Sequence, residues 1–336
     1  MVGAGIMGAA TARAVARHGA NVLLVEQFGV GHERGSSHGT SRIFRFSYPH
    51  ELYVQLAMKT LPLWRDLERE SGRALLTVTG GLDRGEHITA HAAALQACAA
   101  KYEVIKGSEA ASRFPGLRLP ADEPVLYQPD AGYLAADAAL NAMVDSAVAH
   151  GAELREESRV QTIEPDGNDV GLRLLGGRVS ARSVVITAGA WAGKLLQPLA
   201  IDLPLRPTRE TVAFFRFDGE LPPLVEWGTP SIYSLPAPQV GLKVGEHQAG
   251  PTIDPDVDGG PDEASLRRLT AWVRERFPAA DPAPEEVQTC LYTNTPDDSF
   301  ILERFGAIVV GSPCSGHGFK FAPLIGERLA ELALGG

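Results

Sequence analysis

The sequence predicts an α/β protein of two domains, one of them a Rossmann-like dinucleotide-binding domain assembled from separated segments. Three observations carry this prediction. The chain opens with Gly3, Gly5 and Gly8 in G-x-G-x-x-G spacing, followed by a helix pattern, a strand and an acid. A second buried-strand run, SVVITAGAW at 183–191, returns to the same character after an intervening β meander. Between and after these lie stretches of short strands and proline-bearing loops. The nucleotide domain is therefore expected over 1–73, 134–206 and 291–336, and the second domain over 74–133 and 207–290.

In the opening unit, the first glycine permits a tight turn and the second lets backbone amides approach a pyrophosphate. The third lets the helix sit close on the strand, with a diphosphate resting on the helix's positive end. The helix is rich in small residues (Ala9, Ala10, Ala12, Ala14, Ala16) and ends at Gly19, a suitable left-handed cap. Asn21 to Val25 reads as a buried strand closed by Glu26, whose carboxylate would accept hydrogen bonds from an adenosine ribose. The motif alone leaves FAD and NAD open. Only Met1 and Val2 precede Gly3, whereas a strand usually has about 5 to 6 residues. The chain is therefore expected to be a shortened form or fragment whose natural product begins upstream.

Composition bounds the partners. The chain is 44% hydrophobic and 21% charged, with a net charge of -10. That balance argues against a surface built for nucleic acid or anionic lipid, so any bound anion must be met by local cations. No apolar run approaches the roughly 20 residues of a membrane span, and no signal-peptide pattern opens the chain, so the expected compartment is the cytoplasm. Cys98, Cys290 and Cys314 lack metal-ligand spacing, and their odd number gives no disulfide framework. Cysteine chemistry here would be that of a lone thiol, and no metal is expected.

Taken in order, GSSHGTSRIFRF at 35–46 places Ser36, His38, Arg42 and Arg45 among small residues. On a helical turn the two arginines would face one side and hold an anion; a solvated basic loop is the other reading. A helix follows with Tyr53, Leu56, Ala57, Leu61 and Trp64 on one stripe, which Pro62 should kink or break. Strands over 75–82 and a helix over 89–101 come next. His87 and His91, four apart, read as solvated surface, and Cys98 as a small buried hydrophobe.

A helix is expected over 137–151, then the meander, with turns at Asp166-Gly167 and Gly176-Gly177. Val184 to Thr187 is a buried parallel strand, and Ala188-Gly189-Ala190 leaves room for something large and flat. Strands over 212–217 and 231–235 lead to VGLKVGEH at 240–247. Alternation sets Lys243, Gly245 and His247 on one face, either a reactive surface or an edge strand with an exposed lysine. Finally, TCLYTNTPDDSF (289–300) and GSPCSGHGFKF (311–321) precede a helix over 324–334. Ser315, Gly316 and Gly318 there bring backbone amides to a helix N-terminus, with Lys320 just beyond.

These last motifs, with GAGIMG, GSSHGTSRIFR and GLKVGEH, resemble the amine-oxidising flavoenzyme family of monomeric sarcosine oxidase and N-methyltryptophan oxidase, in order along nearly the whole chain. The resemblance implies FAD in the discontinuous domain, covered by a large mixed or antiparallel sheet of the second, substrate-binding domain. It implies cofactor contacts from Gly3, Gly5, Gly8, Glu26, Ser36, His38, Arg42, Gly316, Gly318 and Lys320, and a covalent bond from Cys290 to the flavin. It implies that Arg45 and Lys320 clamp a substrate carboxylate, with Tyr292 beside them. Lys243 would assist reaction with dioxygen, His38 and Arg42 would pack by the flavin ring, and Tyr233 and His247 would shape the pocket.

The implied activity is oxidation of an N-methyl amino acid, with imine hydrolysis to formaldehyde and amino acid and reduction of dioxygen to hydrogen peroxide. The expected partners are a small amino acid and dioxygen, with no nucleic acid and no membrane, and the expected state is a monomer. Alternatives are a related oxidase or dehydrogenase of another secondary or cyclic amine (pipecolate- or glycine-oxidase-like), a nicotinamide-dependent dehydrogenase, and a non-catalytic flavin-binding remnant.

Overall fold

In the computed structural model, which describes residues 1–167 and 169–335, the opening glycines do what their spacing requires. Helix Ile6–Arg17 is entered from Gly5, and Gly3 ahead of it takes a φ of +95°. A Cβ on Gly8 would collide with the Gly3 carbonyl oxygen, so only glycine lets the helix come this close. The alanines have the same effect on the other side. Gly326 of helix Ala322–Leu334 approaches Ala10 so nearly that a Cβ there would lie 2.6 Å from its carbonyl carbon.

Val2 forms parallel bridges to both Val25 and Ile186. It thereby joins strand Leu23–Val25, paired with Glu153–Arg155, to strand Val184–Ile186, paired with Ile308–Ser312. Strand Ile301–Phe305 adds an antiparallel edge. Strand alternation divides the side chains between two layers. Leu24, Val185 and Val309 pack with helices Ile6–Arg17, Ala136–Ala149 and Ala322–Leu334. Val25, Val184, Ile186 and Val310 pack with Val160, Ile163, Val170 and Leu172 of the antiparallel meander. Burial on both faces is why these strands are short and almost wholly aliphatic.

The second layer is an eight-stranded mixed sheet in the order Pro284–Asn294, Arg206–Arg216, Gly241–His247, Ser231–Ala237, Leu224–Trp227, Gly81–Gly85, Pro124–Gln128, Glu103–Lys106. Its only parallel pair joins Leu224–Trp227 to Gly81–Gly85. Helix Glu263–Arg276, capped by Asp262 through a 2.7 Å bond from the Ser265 amide, covers one face. Leu269, Trp272 and Val273 of that helix bury Ala213, Phe215, Leu242 and Val244. Glu246 shares this face and meets Arg268 through two bonds of 2.5 and 2.7 Å. The opposite face, carrying Lys243 and His247, is left to the cavity described below.

Several expectations need correcting. Residues Ser41–Phe44 form a strand paired with Gly132–Ala135, not a helical turn; the partner strand lies far along the chain, where local spacing cannot reveal it. Helix Glu51–Ser71 runs through Pro62 without a break. Val54, Ala57, Trp64 and Leu67 are fully buried on either side of it. At roughly 1.5 to 3 kcal/mol for each large apolar side chain, that burial outweighs about 3 kcal/mol for the proline. Cys98 sits half-buried where helix Ile88–Ala97 ends. No described helix is long and apolar enough to cross a membrane.

Candidate active site

A cavity of about 860 Å³ runs between the parallel sheet and the large mixed sheet. At one end are Gly3, Gly5, Glu26 and Ser36. The Glu26 carboxylate is buried and accepts from the Ala4 amide at 2.8 Å and the Phe28 amide at 3.0 Å. Those two bonds fix it at the end of its strand, facing the glycine turn. The Ile6 amide, at the helix N-terminus, donates to Ser37 Oγ at 3.0 Å. Gly8 stands behind the cavity wall, where close helix packing needs it.

The middle of the cavity is set by the Gly35–Phe46 segment and the large sheet. Arg42 folds back on its own segment, donating to the carbonyls of Ser36 (2.9 Å), His38 (2.6 Å) and Ser41 (2.9 Å). His38 is buried, and its Nε2 has no hydrogen-bond partner among the described residues. Burial first, and Arg42 second, push its pKa down to about 4, so the ring is neutral at physiological pH. Across from it Lys243 donates to the Ser41 carbonyl at 3.2 Å. Burial lowers its pKa to about 7, with Arg42 adding to the shift.

Cys290 lines the same region, opposite Glu210 in the strand register, and Tyr292 follows it on the same face. Tyr233 lies across from Gly245, where a Cβ would stand 2.5 Å from its hydroxyl. The glycine between Lys243 and His247 thus makes room for that ring. Gly316 does the same under Tyr292, and Gly316 and Gly318 border the cavity beside Lys320. Burial pushes the Tyr233 hydroxyl up to about 12.

The far end gathers cations. The Arg45 guanidinium lies 4.6 Å from the Tyr48 ring centre and 5.0 Å from that of Trp227, donates to the Ser47 carbonyl, and stands 3.6 Å from Asp83 Oδ1. Lys320 joins this group, 5.4 Å from the Tyr48 ring centre, donating to Tyr48 Oη and to the His317 carbonyl, both at 2.8 Å. Tyr48 Oη is 3.3 Å from His317 Nδ1, and His317 Nε2 is 3.1 Å from the Asp298 carbonyl. Since a carbonyl only accepts, His317 carries its proton on Nε2 and accepts the Tyr48 hydroxyl at Nδ1. Burial, then Arg45, holds Lys320 well below the usual lysine range. His247 stands 5.8 Å from the Tyr292 ring, its pKa pushed down to about 4 by burial and by Arg45 and Lys320.

Every residue the sequence nominated for the site, Gly8 excepted, borders this one cavity. Sequence reasoning missed Tyr48, His317, Trp227 and Asp83. Tyr48 and His317 lay inside or beside quoted motifs, and an aromatic or histidine next to a nominated cation was the available signal. Asp83 and Trp227 come from the one parallel pair of the large sheet and had no local signal. His91, read as surface, is buried: its Nδ1 is 2.9 Å from Ser47 Oγ and 4.0 Å from Asp83 Oδ1. The Trp227 ring, 5.0 Å from the imidazole centre and brought from a distant strand, accounts for the difference.

Comparison with known proteins agrees with this geometry. The family model of FAD dependent oxidoreductases matches residues 1–332. The chain is 35% identical to the human peroxisomal sarcosine oxidase, over 99% of this chain and 91% of that protein. It is 33% identical to the monomeric sarcosine oxidase of Bacillus sp. (strain B-0618), over 100% of this chain and 92% of that one. Among solved structures it resembles NikD, described as an unusual amino acid oxidase essential for nikkomycin biosynthesis. The TM-score is 0.91 at 30% identity, covering 99% of this chain and 92% of that chain.

Proposed function

The chain belongs to the FAD dependent oxidoreductase family, and on that premise we propose that it oxidises an N-methyl amino acid of the sarcosine kind, with dioxygen as the final acceptor. It is an FAD-dependent amine oxidoreductase acting on the CH–NH group of an amino acid. The residues present fit the cofactor. The cavity volume suits a dinucleotide, Glu26 is fixed beside the glycine turn, and the orphaned His38 Nε2 awaits a partner from a bound group. Bound FAD supplies the two-electron acceptor that takes a hydride equivalent from the carbon beside the amine nitrogen.

The observation that carries the substrate reading is the convergence of Arg45 and Lys320 on Tyr48 in the cavity, one over its ring and the other at its hydroxyl. A buried pair of cationic donors suits a carboxylate, and the neutral His247 beside them adds no third charge. The amine is thereby held toward the middle of the cavity, where Tyr233, Tyr292 and Lys243 border it. Water then hydrolyses the imine to formaldehyde and the primary amino acid. Lys243, with its pKa near neutrality, offers a fixed cation for the charge that develops on dioxygen as it is reduced to hydrogen peroxide. Cys290, accessible on the same wall, is the residue for a covalent flavin bond.

Two measurements test this. N-methyl amino acids should release equimolar formaldehyde and peroxide; peroxide from primary amino acids alone ends the demethylation reading. Flavin colour should stay in the pellet after acid precipitation and be lost to the supernatant in Cys290→Ser. Colour released from the unaltered protein removes the covalent bond. The same proposal takes the protein to be monomeric and cytoplasmic, which suits three unpaired cysteines. Light scattering reporting two chains, or fractionation to another compartment, would overturn those points.

A further inference from the structure

The cationic end contains a carboxylate that lies outside the cavity wall. Asp83, 2% exposed, stands on strand Gly81–Gly85 beside Leu224–Trp227. Its Oδ1 accepts from Trp227 Nε1 at 2.8 Å, lies 3.6 Å from Arg45 Nη1 and is 4.0 Å from His91 Nδ1. One oxygen thus meets the side chains that set both the charge and the outer wall of this end. The Arg45 guanidinium packs on the rings of both Trp227 and Tyr48, so holding the indole also helps hold the guanidinium.

We propose that Asp83 is a positioning residue for the carboxylate-binding end: it aims Arg45 into the cavity, fixes Trp227 as the outer wall, and through its negative charge lets two cations share one buried site. The inference rests on the reading that Arg45 and Lys320 take the substrate carboxylate.

The electrostatic part follows from which groups can yield. The crowding falls on Lys320, which burial and then Arg45 hold well below the usual lysine range. The groups facing Lys320 are Arg45 and Tyr48 from one segment, His317 from its own loop, His247 from the large sheet and Asp83 behind Arg45. His247 and His317 are both held neutral, chiefly by burial. Asp83 is therefore the anion that offsets Arg45 here, and its charge favours the protonated lysine. His91 is likewise held to about 4 by burial, so it leaves the Asp83 charge uncancelled.

The test is acetate binding to the flavin-loaded protein, read from the flavin absorbance between pH 6 and pH 10. Binding should weaken along an alkaline limb that Lys320→Met abolishes, which assigns the limb. In Asp83→Asn the amide oxygen can still accept from Trp227, yet the midpoint of the limb should move about one pH unit toward acid. Asp83→Glu should return most of that shift. General damage would weaken acetate at every pH without moving the midpoint, and an unmoved midpoint in a flavin-loaded Asp83→Asn protein overturns the proposal. If Asp83→Asn does not fold, Trp227→Phe, which frees the same oxygen while keeping a ring in the wall, should weaken acetate severalfold; unchanged affinity overturns it. Failure of the unaltered protein to bind acetate, or binding indifferent to Arg45→Ala, would sink the carboxylate reading and this inference with it.

Discussion

Lys243 has its proton equilibrium near neutral pH because burial disfavours its charged form. With a folded value of about 7 against an ordinary 10.5, the unfolded chain binds a proton between those limits that the folded chain does not. Stability therefore rises with pH through that window, and the burial cost is fully present only below about pH 7. Lys243→Met should raise the melting temperature by a few degrees more at pH 7 than at pH 9.5. The same variant should slow reaction with dioxygen at least tenfold while sparing anaerobic reduction; equal loss in both half-reactions removes the lysine's role. Arg45→Ala should raise KM about 10- to 100-fold through lost charge-assisted bonds, with a smaller change in kcat. Unchanged KM would count against the clamp. These residues were legible because each sits in a short motif beside a glycine or a second cation. Asp83 was not, since its partners arrive from three other segments.

At the scale of elements, the same substitution at two glycines should give opposite outcomes. Gly8→Ala drives a methyl into the fixed backbone oxygen of Gly3, so it should destabilise by several kcal/mol and release the flavin. Gly245→Ala meets the hydroxyl and the adjoining ring carbons Cζ and Cε1 at the far end of the Tyr233 side chain, and no backbone, so the side chain can shift. It should cost under about 1 kcal/mol and change KM instead. Thermal melts and kinetics on the two variants check this, and similar melting losses would contradict it. Strand Gly241–His247 shows why alternation was readable. Leu242, Val244 and Glu246 face helix Glu263–Arg276, while Lys243 and His247 face the cavity. The segment Ser41–Phe44 shows the limit, because residues three apart favour a helix or a strand according to a partner that spacing does not report.

At the scale of the whole molecule, the cavity exists because two sheets face one another, and its walls come from both. A cofactor there should clamp them together. Cys290→Ser protein with FAD at one hundred times its Kd should gain about 2.7 kcal/mol over the flavin-free form, visible as a higher melting temperature. No change on adding FAD would mean that the cavity does not hold it. The sequence by itself determined the glycine turn at Gly3 to Gly8 and the two faces of strand Gly241–His247. Both depend on local spacing, steric allowance at glycine, or alternation along one strand. Only the tertiary structure decided that Arg45 packs on Tyr48 and Trp227, that Asp83 stands beside it, and that His91 is buried. Charges and rings distant in sequence acquire their pKa values and partners from the low-dielectric space that chain folding brings about, and no single segment contains that space.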